Sequence, residues 1–355
     1  SRMKVWCDIL SPKQLFLFTS IAKRFREIGY KVYLTSRHYV QLNGLIDGAF
    51  REWRILKIGS WGGGSLIGKL RASIERLSSL LDYVIEIDPD ICLSSGSPEA
   101  ARICYGLGIP HLMISDTPHS PVNPLAAPLS TAILTPWVIP KEEWLRAGAR
   151  EEMIHYYRAL DPCFWLKDFK PEESVLDRLG VEKGQYVLMR MPESKAAYLK
   201  SDDERLLKMA KSLAQKLNDR KLIISCRYPE QLEMAQKLLQ LDNVKVIGEL
   251  VPGPTLTYYS MLFVGGGGTM TQEAALLGVP AISVYPQKLP AVLEFLKGRG
   301  LVIRCKTVED LICVFTGFLE RINEIRNEWQ RRAKDLWEDM EDPMNVLIQV
   351  LKESL

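Results

Sequence analysis

The sequence predicts an α/β protein made of two doubly wound halves, and three observations carry that prediction. Short apolar runs alternate with longer stretches of helical period along most of the chain, as strands alternate with crossover helices in a parallel sheet. Residues Met261–Tyr285, M-L-F-V-G-G-G-G-T-M-T-Q-E-A-A-L-L-G-V-P-A-I-S-V-Y, spell one complete βαβ unit: strand, glycine turn, helix, glycine stop, strand. Between about 158 and 183, proline and aromatic residues interrupt the periodicity, which divides the chain into halves of similar size. Each half is too short for a TIM barrel, and the break argues against one.

In the first half, Lys4–Leu10 reads as a buried strand, and Ser11-Pro12 opens a helix with Phe18, Ile21, Ala22, Phe25 and Ile28 at helical spacing. Gly29 stops it and Lys31–Thr35 is the second strand. The intervening loop carries Asp8, Ser11, Pro12, Lys13 and Gln14 in place of a G-x-G-x-x-G fingerprint, so no NAD site is expected. A third strand near Ile55–Ile58 runs into G-S-W-G-G-G-S-L-I-G-K (59–69). From Gly63 this approaches a Walker A loop, but Leu70 stands where a Ser or Thr would ligate magnesium, so the segment reads as a loop before the long helix Leu66–Ile87. Strand Ile91–Ser94, a helix opened by S-G-S-P-E (95–99), strand His111–Ser115 and the loop D-T-P-H-S (116–120) follow. Thr131–Leu134 and Met153–Tyr157 are the next strand candidates.

Tyr186–Arg190 begins the second series. It continues through a helix at about Asp203–Leu217, strand Leu222–Cys226, a helix opened by R-Y-P-E-Q (227–231), strand Val244–Ile247, the loop Gly248–Pro254 and a short helix Thr255–Ser260. The glycine-turn unit comes next, and strand Leu301–Arg304 closes the sheet. Two helices, about Val308–Asn323 and Ile325–Leu355, end the chain.

Composition narrows the function. The 355 residues are 47% hydrophobic and 25% charged, which is the balance of a globular protein of about two domains. A formal charge of +3, without clustered basic and aromatic residues, gives no reason to expect a nucleic-acid partner. Seven cysteines without C-x-x-C pairs read as reduced thiols of a cytoplasmic protein, and four histidines without H-E-x-x-H give no zinc signature. No run of 18 apolar residues and no leader pattern is seen, so no membrane span is expected.

The glycine turn is the sharpest chemical signal. Glycines let a backbone approach a ligand closely, and the N–H groups of the following first helical turn suit a phosphate. The competing reading, a tight turn only, needs fewer than four glycines. Arg190 and Arg227 both follow predicted strands on the same sheet edge, where a guanidinium can fork onto phosphate oxygens or pair with a loop acid. Asp8, Asp116 and His119 sit just past strand ends in the first half. Two of them have a plainer alternative: a helix cap for Asp8 and a packing or surface role for His119.

These pieces resemble a known fold and a known family. Two Rossmann-like halves with a glycine turn and a following Glu in the second half are similar to the GT-B fold, in which two such domains face a central cleft. That fold is shared by nucleotide-sugar glycosyltransferases and UDP-N-acetylglucosamine 2-epimerases. More closely, the chain resembles the DUF354 family, uncharacterised and mainly archaeal. The matching segments are D-I-L-S-P-K-Q (8–14), G-G-G-S-L-I-G-K-L (62–70), S-D-T-P-H (115–119), F-K-P (169–171), M-R-M-P (189–192), C-R-Y-P-E-Q (226–231) and G-G-G-G-T-M-T-Q-E-A-A-L-L-G-V-P (265–280). Two departures point to a specialised activity: R-A-L-D-P (158–162) replaces a G-x-K-E-like turn, and no histidine lies near M-R-M-P-E-S (189–194).

The resemblance implies an N-terminal acceptor domain at 3–165, a nucleotide-sugar domain at 166–325, and a C-terminal helix at 326–355 returning toward the first. It implies that Gly265, Gly266, Gly267, Gly268 and Thr269 lie under a diphosphate, with Glu273 facing outward to the ribose. Arg190 and Arg227 would stand beside the phosphates, loop 248–254 near the base, and Tyr285–Lys288 near the sugar. Asp8, Asp116 and His119 are then the candidate catalytic bases. The expected activity is metal-independent glycosyl transfer from a nucleotide-activated sugar, with a UDP-sugar as the expected donor and no cofactor needed. The alternatives are a 2-epimerase or hydrolase on the same fold, and a non-catalytic nucleotide-sugar binder. The acceptor is left open between a saccharide and a lipid-linked molecule; the latter would place a cytoplasmic protein at a membrane surface, for which no strongly basic amphipathic helix argues, and a homo-oligomer is compatible with the fold.

Overall fold

The computed structural model describes residues 2–192, 200–238, 240–248 and 253–355, and the chain divides into two compact units, 1–167 with 341–355, and 168–340. In the first unit, β1 (Lys4–Asp8), β2 (Lys31–His38), β3 (Ile55–Ser60), β4 (Ile91–Ser94), β5 (His111–Ile114), β6 (Ala132–Pro136) and β7 (Ile154–Tyr157) form a parallel sheet in the order β3-β2-β1-β4-β5-β6-β7. In the second, β8 (Tyr186–Arg190), β9 (Lys221–Ser225), β10 (Val244–Ile247), β11 (Leu262–Gly265), β12 (Ala281–Ser283) and β13 (Ile303–Arg304) are also parallel, in the order β10-β9-β8-β11-β12-β13. Both orders reverse direction once, between β1 and β4 and between β8 and β11. In open parallel sheets such switch points, at the carboxyl ends of the strands, are where ligands bind.

The central strands are continuous apolar runs because both faces are covered. In β1, Val5, Trp6 and Cys7 are fully buried, and the Trp6 indole donates to Thr35 Oγ1 at 2.8 Å. Trp6 packs in a cluster with Leu80, Val84 and Ile87 of the helix Leu66–Ile87 and with Ala100, Ile103 and Cys104 of the helix Pro98–Leu107. The first of these helices is capped by Ser65, whose Oγ accepts from Gly68 N, but its buried residues are Arg76, Leu80, Val84 and Ile87 only. Its first turns therefore contribute nothing to the core.

In the second unit the helix Ile322–Asp339 braces the glycine-turn helix. Its Trp337 indole donates to Leu276 O at 2.8 Å, and its Gln330 backbone packs against Gly278. Gly278 has φ of +73°, and a Cβ there would meet Gln330 Cα at 3.0 Å, so the position requires glycine on both counts. The single closing helix expected over 325–355 is two helices, Ile322–Asp339 and Pro343–Glu353. The break falls at Asp342-Pro343, because a residue before proline leaves the helical region and Asp342 caps the next helix by accepting from Met344 N. The final helix belongs to the first unit, where Asp342 pairs with Arg24 and Lys167.

Candidate functional site

The switch point of the second sheet brings two predicted residues together. Arg190 ends β8, Gly265 ends β11, the two are register partners, and Gly266 N donates to Arg190 O at 2.9 Å. Arg190 is 5% exposed, and its Nη1 donates to Ser225 Oγ, at the end of β9, at 2.9 Å. Arg227 lies one strand further out, half-buried, with its guanidinium 5.6 Å from the Tyr228 ring centroid. Its backbone N–H donates to Gln231 Oε1, while Gln231 Nε2 donates to Pro192 O at 2.8 Å and to Asp203 at 3.3 Å. Burial lifts the Asp203 carboxyl to about 6.

The glycines of the turn have different reasons to be glycine. None of Gly265, Gly266 and Gly268 has a positive φ. A Cβ on Gly265 would overlap Thr271 Oγ1 and Phe263, and one on Gly266 would meet Leu206 Cδ1 and Pro192 at 3.0–3.1 Å, so these two are set by packing. Gly268 faces open space, with nothing within 4 Å of where a Cβ would stand. It is the N-cap of the helix Thr269–Leu276, no side chain caps that end, and its first turn holds no acid. The amino end thus presents N–H donors and a positive dipole end at the sheet's carboxyl edge. Thr271 Oγ1 donates to Gly267 O at 3.0 Å, tying the loop back to the helix. Glu273, expected to face outward, is only 4% exposed, since the second turn of this helix packs into the unit. Residues 249–252 of the expected base-binding loop, and Glu193 and Ser194 of M-R-M-P-E-S, lie outside the described residues.

In the first sheet Asp8 also stands at its switch point, opposite Ser94. It is fully buried and gripped by Arg76, with Nη1 to Oδ2 at 2.8 Å and Nη2 to Oδ1 at 2.6 Å, and it also accepts from Ser97 Oγ at 2.6 Å and Thr35 Oγ1 at 2.8 Å. Gly59 makes this possible: it has φ of +80°, and a Cβ there would stand 2.6 Å from Arg76 Cγ. Burial pushes the Asp8 carboxyl up, but the Arg76 charge and hydrogen bonds outweigh it, with Ser97 and Thr35 adding to them, and the pKa falls below the ordinary value. The expected general base is thereby a fixed anion whose lone pairs are engaged by the protein. Glu99, 3.6 Å from Arg76, moves the other way, raised by burial against the pull of Arg76.

Asp116 has different surroundings. Its Oδ1 accepts from Lys13 Nζ at 2.8 Å and from Thr117 Oγ1 at 2.8 Å, and the same Nζ reaches Asp161 Oδ2 at 3.0 Å. Tyr157, at the end of β7, donates to the other Asp161 oxygen. Asp161 is 1% exposed, and burial together with the Asp116 charge raises its carboxyl against the opposing Lys13. For Lys13, burial lowers the ammonium pKa but the two carboxylates more than restore it. Two acids share one cation, and the more deeply buried acid bears the cost. His119 is exposed on the loop three residues beyond Asp116.

Three residues here were not predicted as site residues. Lys13 was noted only within its loop, Asp161 lies in the segment that departs from the family pattern, and Arg76 lies inside a helix. The contacts join positions 68, 103 and 148 residues apart, and no local pattern announces them. Among the described residues no three His, Cys, Asp or Glu side chains are grouped to hold a metal ion, and no helix is long and apolar enough to cross a membrane.

Comparison with known proteins places this geometry in a wider set. The sequence model of the family described as "Protein of unknown function (DUF354)" matches residues 3–355. The uncharacterized protein MJ0665 of Methanocaldococcus jannaschii is 26% identical over 315 residues, 87% of this chain and 90% of that protein. The UDP-GlcNAc 2-epimerase of Neisseria meningitidis, solved with UDP-GlcNAc, superposes with a TM-score of 0.76 at 17% identity, covering 99% of this chain and 100% of that one. The M. jannaschii UDP-GlcNAc 2-epimerase, solved with UDP-GlcNAc and UDP, gives 0.73 at 16% identity over 99% and 100%. The spinosyn forosaminyltransferase SpnP gives 0.65 at 16% over the full length of both. At these identities the likeness establishes the fold, which is GT-B.

Proposed function

This chain belongs to the DUF354 family, and from that premise and the geometry of its second unit we propose that it binds a nucleotide-activated sugar, of the UDP-sugar class, and transfers the sugar to an acceptor taken by its first unit. One observation carries the reading: the uncapped, acid-free amino end of the helix Thr269–Leu276 opens beside Arg190 at the switch point of the second sheet. A diphosphate there would meet backbone N–H donors, the positive dipole end and a guanidinium, the groups that stabilise a leaving nucleoside diphosphate without a metal. The structures solved with UDP-GlcNAc on the same fold support the choice of nucleotide class.

On this reading Asp116 is the general base. Unlike Asp8 it keeps a contact with a lysine that is a quarter exposed, and it stands at a strand end on the ligand edge. His119, three residues on, is the second candidate for the acceptor proton. Glu273 would hold the ribose only where the ligand displaces what now covers it.

A second reading, 2-epimerisation of the bound sugar, is favoured by the paired acids. Asp116 and Asp161, bridged by Lys13, place two carboxyl groups in one cluster with different surroundings, Asp161 being raised by burial and by the Asp116 charge. Incubation with UDP-GlcNAc alone separates the two: a new sugar nucleotide or free UDP marks epimerisation or hydrolysis, whereas transfer needs an added acceptor. Thermal stabilisation by UDP and UDP-sugars, with none by ADP or inorganic phosphate, is the result expected of the donor assignment. No stabilisation by any nucleoside diphosphate would refute it.

A further inference from the structure

The segment G-G-G-S-L-I-G-K-L (62–70) takes no part in the site proposed above, yet its side chains are placed in an unusual way. Leu66, Ile67, Leu70 and Ile74 are 85%, 74%, 64% and 58% exposed. They occupy the first turns of the helix Leu66–Ile87, whose buried residues begin only at Arg76. The inner side of these turns is Gly68, on which the glycine loop is locked: a Cβ on Gly62 would overlap the Gly68 carbonyl, and one on Gly68 the Gly62 carbonyl. The apolar end is thus held out on a fixed support. Adjacent exposed leucines and isoleucines in this number exceed the scattered apolar residues of an ordinary surface.

Charge indicates what covers it. From Trp53 to Ile74 the sequence has four basic residues, Arg54, Lys57, Lys69 and Arg71, and no acid. Lys57 is paired with Asp47, but Lys69 and Arg71 are exposed and in no ion pair among the described residues. The acids of the same helix, Glu75, Asp82 and Glu86, come only after the apolar turns. An apolar tip flanked by cations, at a helix end whose dipole is also positive, is complementary to an anionic, apolar-cored surface. We infer that residues 61–74 form a membrane-seating patch that docks on a bilayer containing anionic lipid, with Leu66, Ile67 and Leu70 entering the headgroup boundary and Lys69 and Arg71 at the phosphates. Because the loop leaves the carboxyl end of β3, the patch rims the edge of the first sheet that carries Asp8 and Asp116. If the transfer reading holds, a lipid-borne acceptor is therefore the substrate class to try first; the docking itself does not depend on that reading.

The test is flotation of the full chain with phosphatidylcholine vesicles and with mixed phosphatidylcholine–phosphatidylglycerol vesicles, at low and high salt, without nucleotide. Wild type is expected to float with the mixed vesicles at low salt and to be released by salt. Two variants probe different chemistry: I67S/L70S removes the apolar anchor, and K69E/R71E reverses the charge. Each should lower the partition coefficient about tenfold or more. None of these side chains is buried, so both should keep the wild-type circular dichroism spectrum and melting temperature. Failure of wild type to float with either vesicle overturns the proposal, as does flotation unchanged by both variants. Light scattering supplies a further arm: a mass of twice 40.4 kDa that I67S/L70S returns to monomer, without vesicle binding, makes this face a self-interface and overturns the proposal too.

Discussion

Gly268→Asp separates the phosphate reading from a purely structural one, because the two effects have opposite signs. The position has φ −110° and ψ −53°, which any residue adopts, and nothing lies within 4 Å of a Cβ there, so the substitution introduces neither strain nor overlap. In the free protein an acid at this helix end interacts favourably with the dipole, worth about 0.3–1 kcal/mol, and loss of glycine freedom in the unfolded chain adds about 0.4–1 kcal/mol. A rise in melting temperature of roughly 1–5 °C should follow. For a bound diphosphate the same carboxylate is a like charge. At about 4 Å the repulsion is about 1 kcal/mol in water-like and about 4 kcal/mol in surface-like surroundings, which weakens binding roughly five-fold to a thousand-fold. Differential scanning fluorimetry of the free protein, with calorimetric titration of UDP, measures both. A stabilised variant that binds UDP as tightly as wild type would refute the placement of the diphosphate at this helix end.

Four other outcomes follow from the geometry. Asp8→Asn takes from the buried Arg76 the carboxylate that grips it, leaving only Glu99 at 3.6 Å, and should cost about 3 kcal/mol in urea unfolding. Because the folded Asp8 carboxyl lies below its unfolded value, its contribution is present above about pH 4 and is lost as pH falls through the folded pKa, so the variant should also show a flatter acid limb. His111 is buried between Ser94 and Ser130, and burial pushes its imidazole down from 6.5 to about 4. Stability should therefore fall by up to about 3 kcal/mol as pH drops from 6.5 to 4, and His111→Gln should remove that slope in urea titrations at the two pH values. Lys13→Met leaves Asp116 and Asp161 without their shared cation. Since Asp161 is already raised, the resulting loss of about 3 kcal/mol should be smaller at pH 5 than at pH 8, as read from urea midpoints. Once a turnover assay exists, Asp116→Asn should lower kcat by about a hundredfold or more with little change in UDP affinity. An unchanged kcat would assign the base elsewhere.

The fold was largely legible in the sequence, and the reason is locality. The glycine-turn unit, with its strand, open turn, helix and glycine stop, lies within 25 consecutive residues, and every cue acts over a few positions. The placement of Arg190 and Gly265 at adjacent strand ends was legible on the same basis. What escaped depends on contacts distant in sequence. Arg76 sits beside Glu75 in a helical pattern, where a charge reads as a solvated face, yet it crosses the core edge to Asp8. Asp161 looked like the loss of a family charge, yet it places a carboxylate on Lys13. The helix Val40–Asp47 was overlooked because Asn43-Gly44 has the composition of a turn, although Leu42, Leu45 and Ile46 bury one side of it. The break at Asp342-Pro343 was readable, but the largely acidic run Glu338–Asp342 before it continues the charge of the preceding helix and concealed it.

The grip of Arg76 on Asp8 has a consequence for stoichiometry. Two sheets with the same winding offer two crevices of the kind that accept a nucleotide, so a chain of this design could in principle titrate with two equivalents. In the first sheet that crevice is already filled from within, by a guanidinium that cannot leave without stranding a buried carboxylate. On the proposed reading the nucleotide is taken at the second switch point, and a calorimetric titration with UDP should end at one nucleotide per chain.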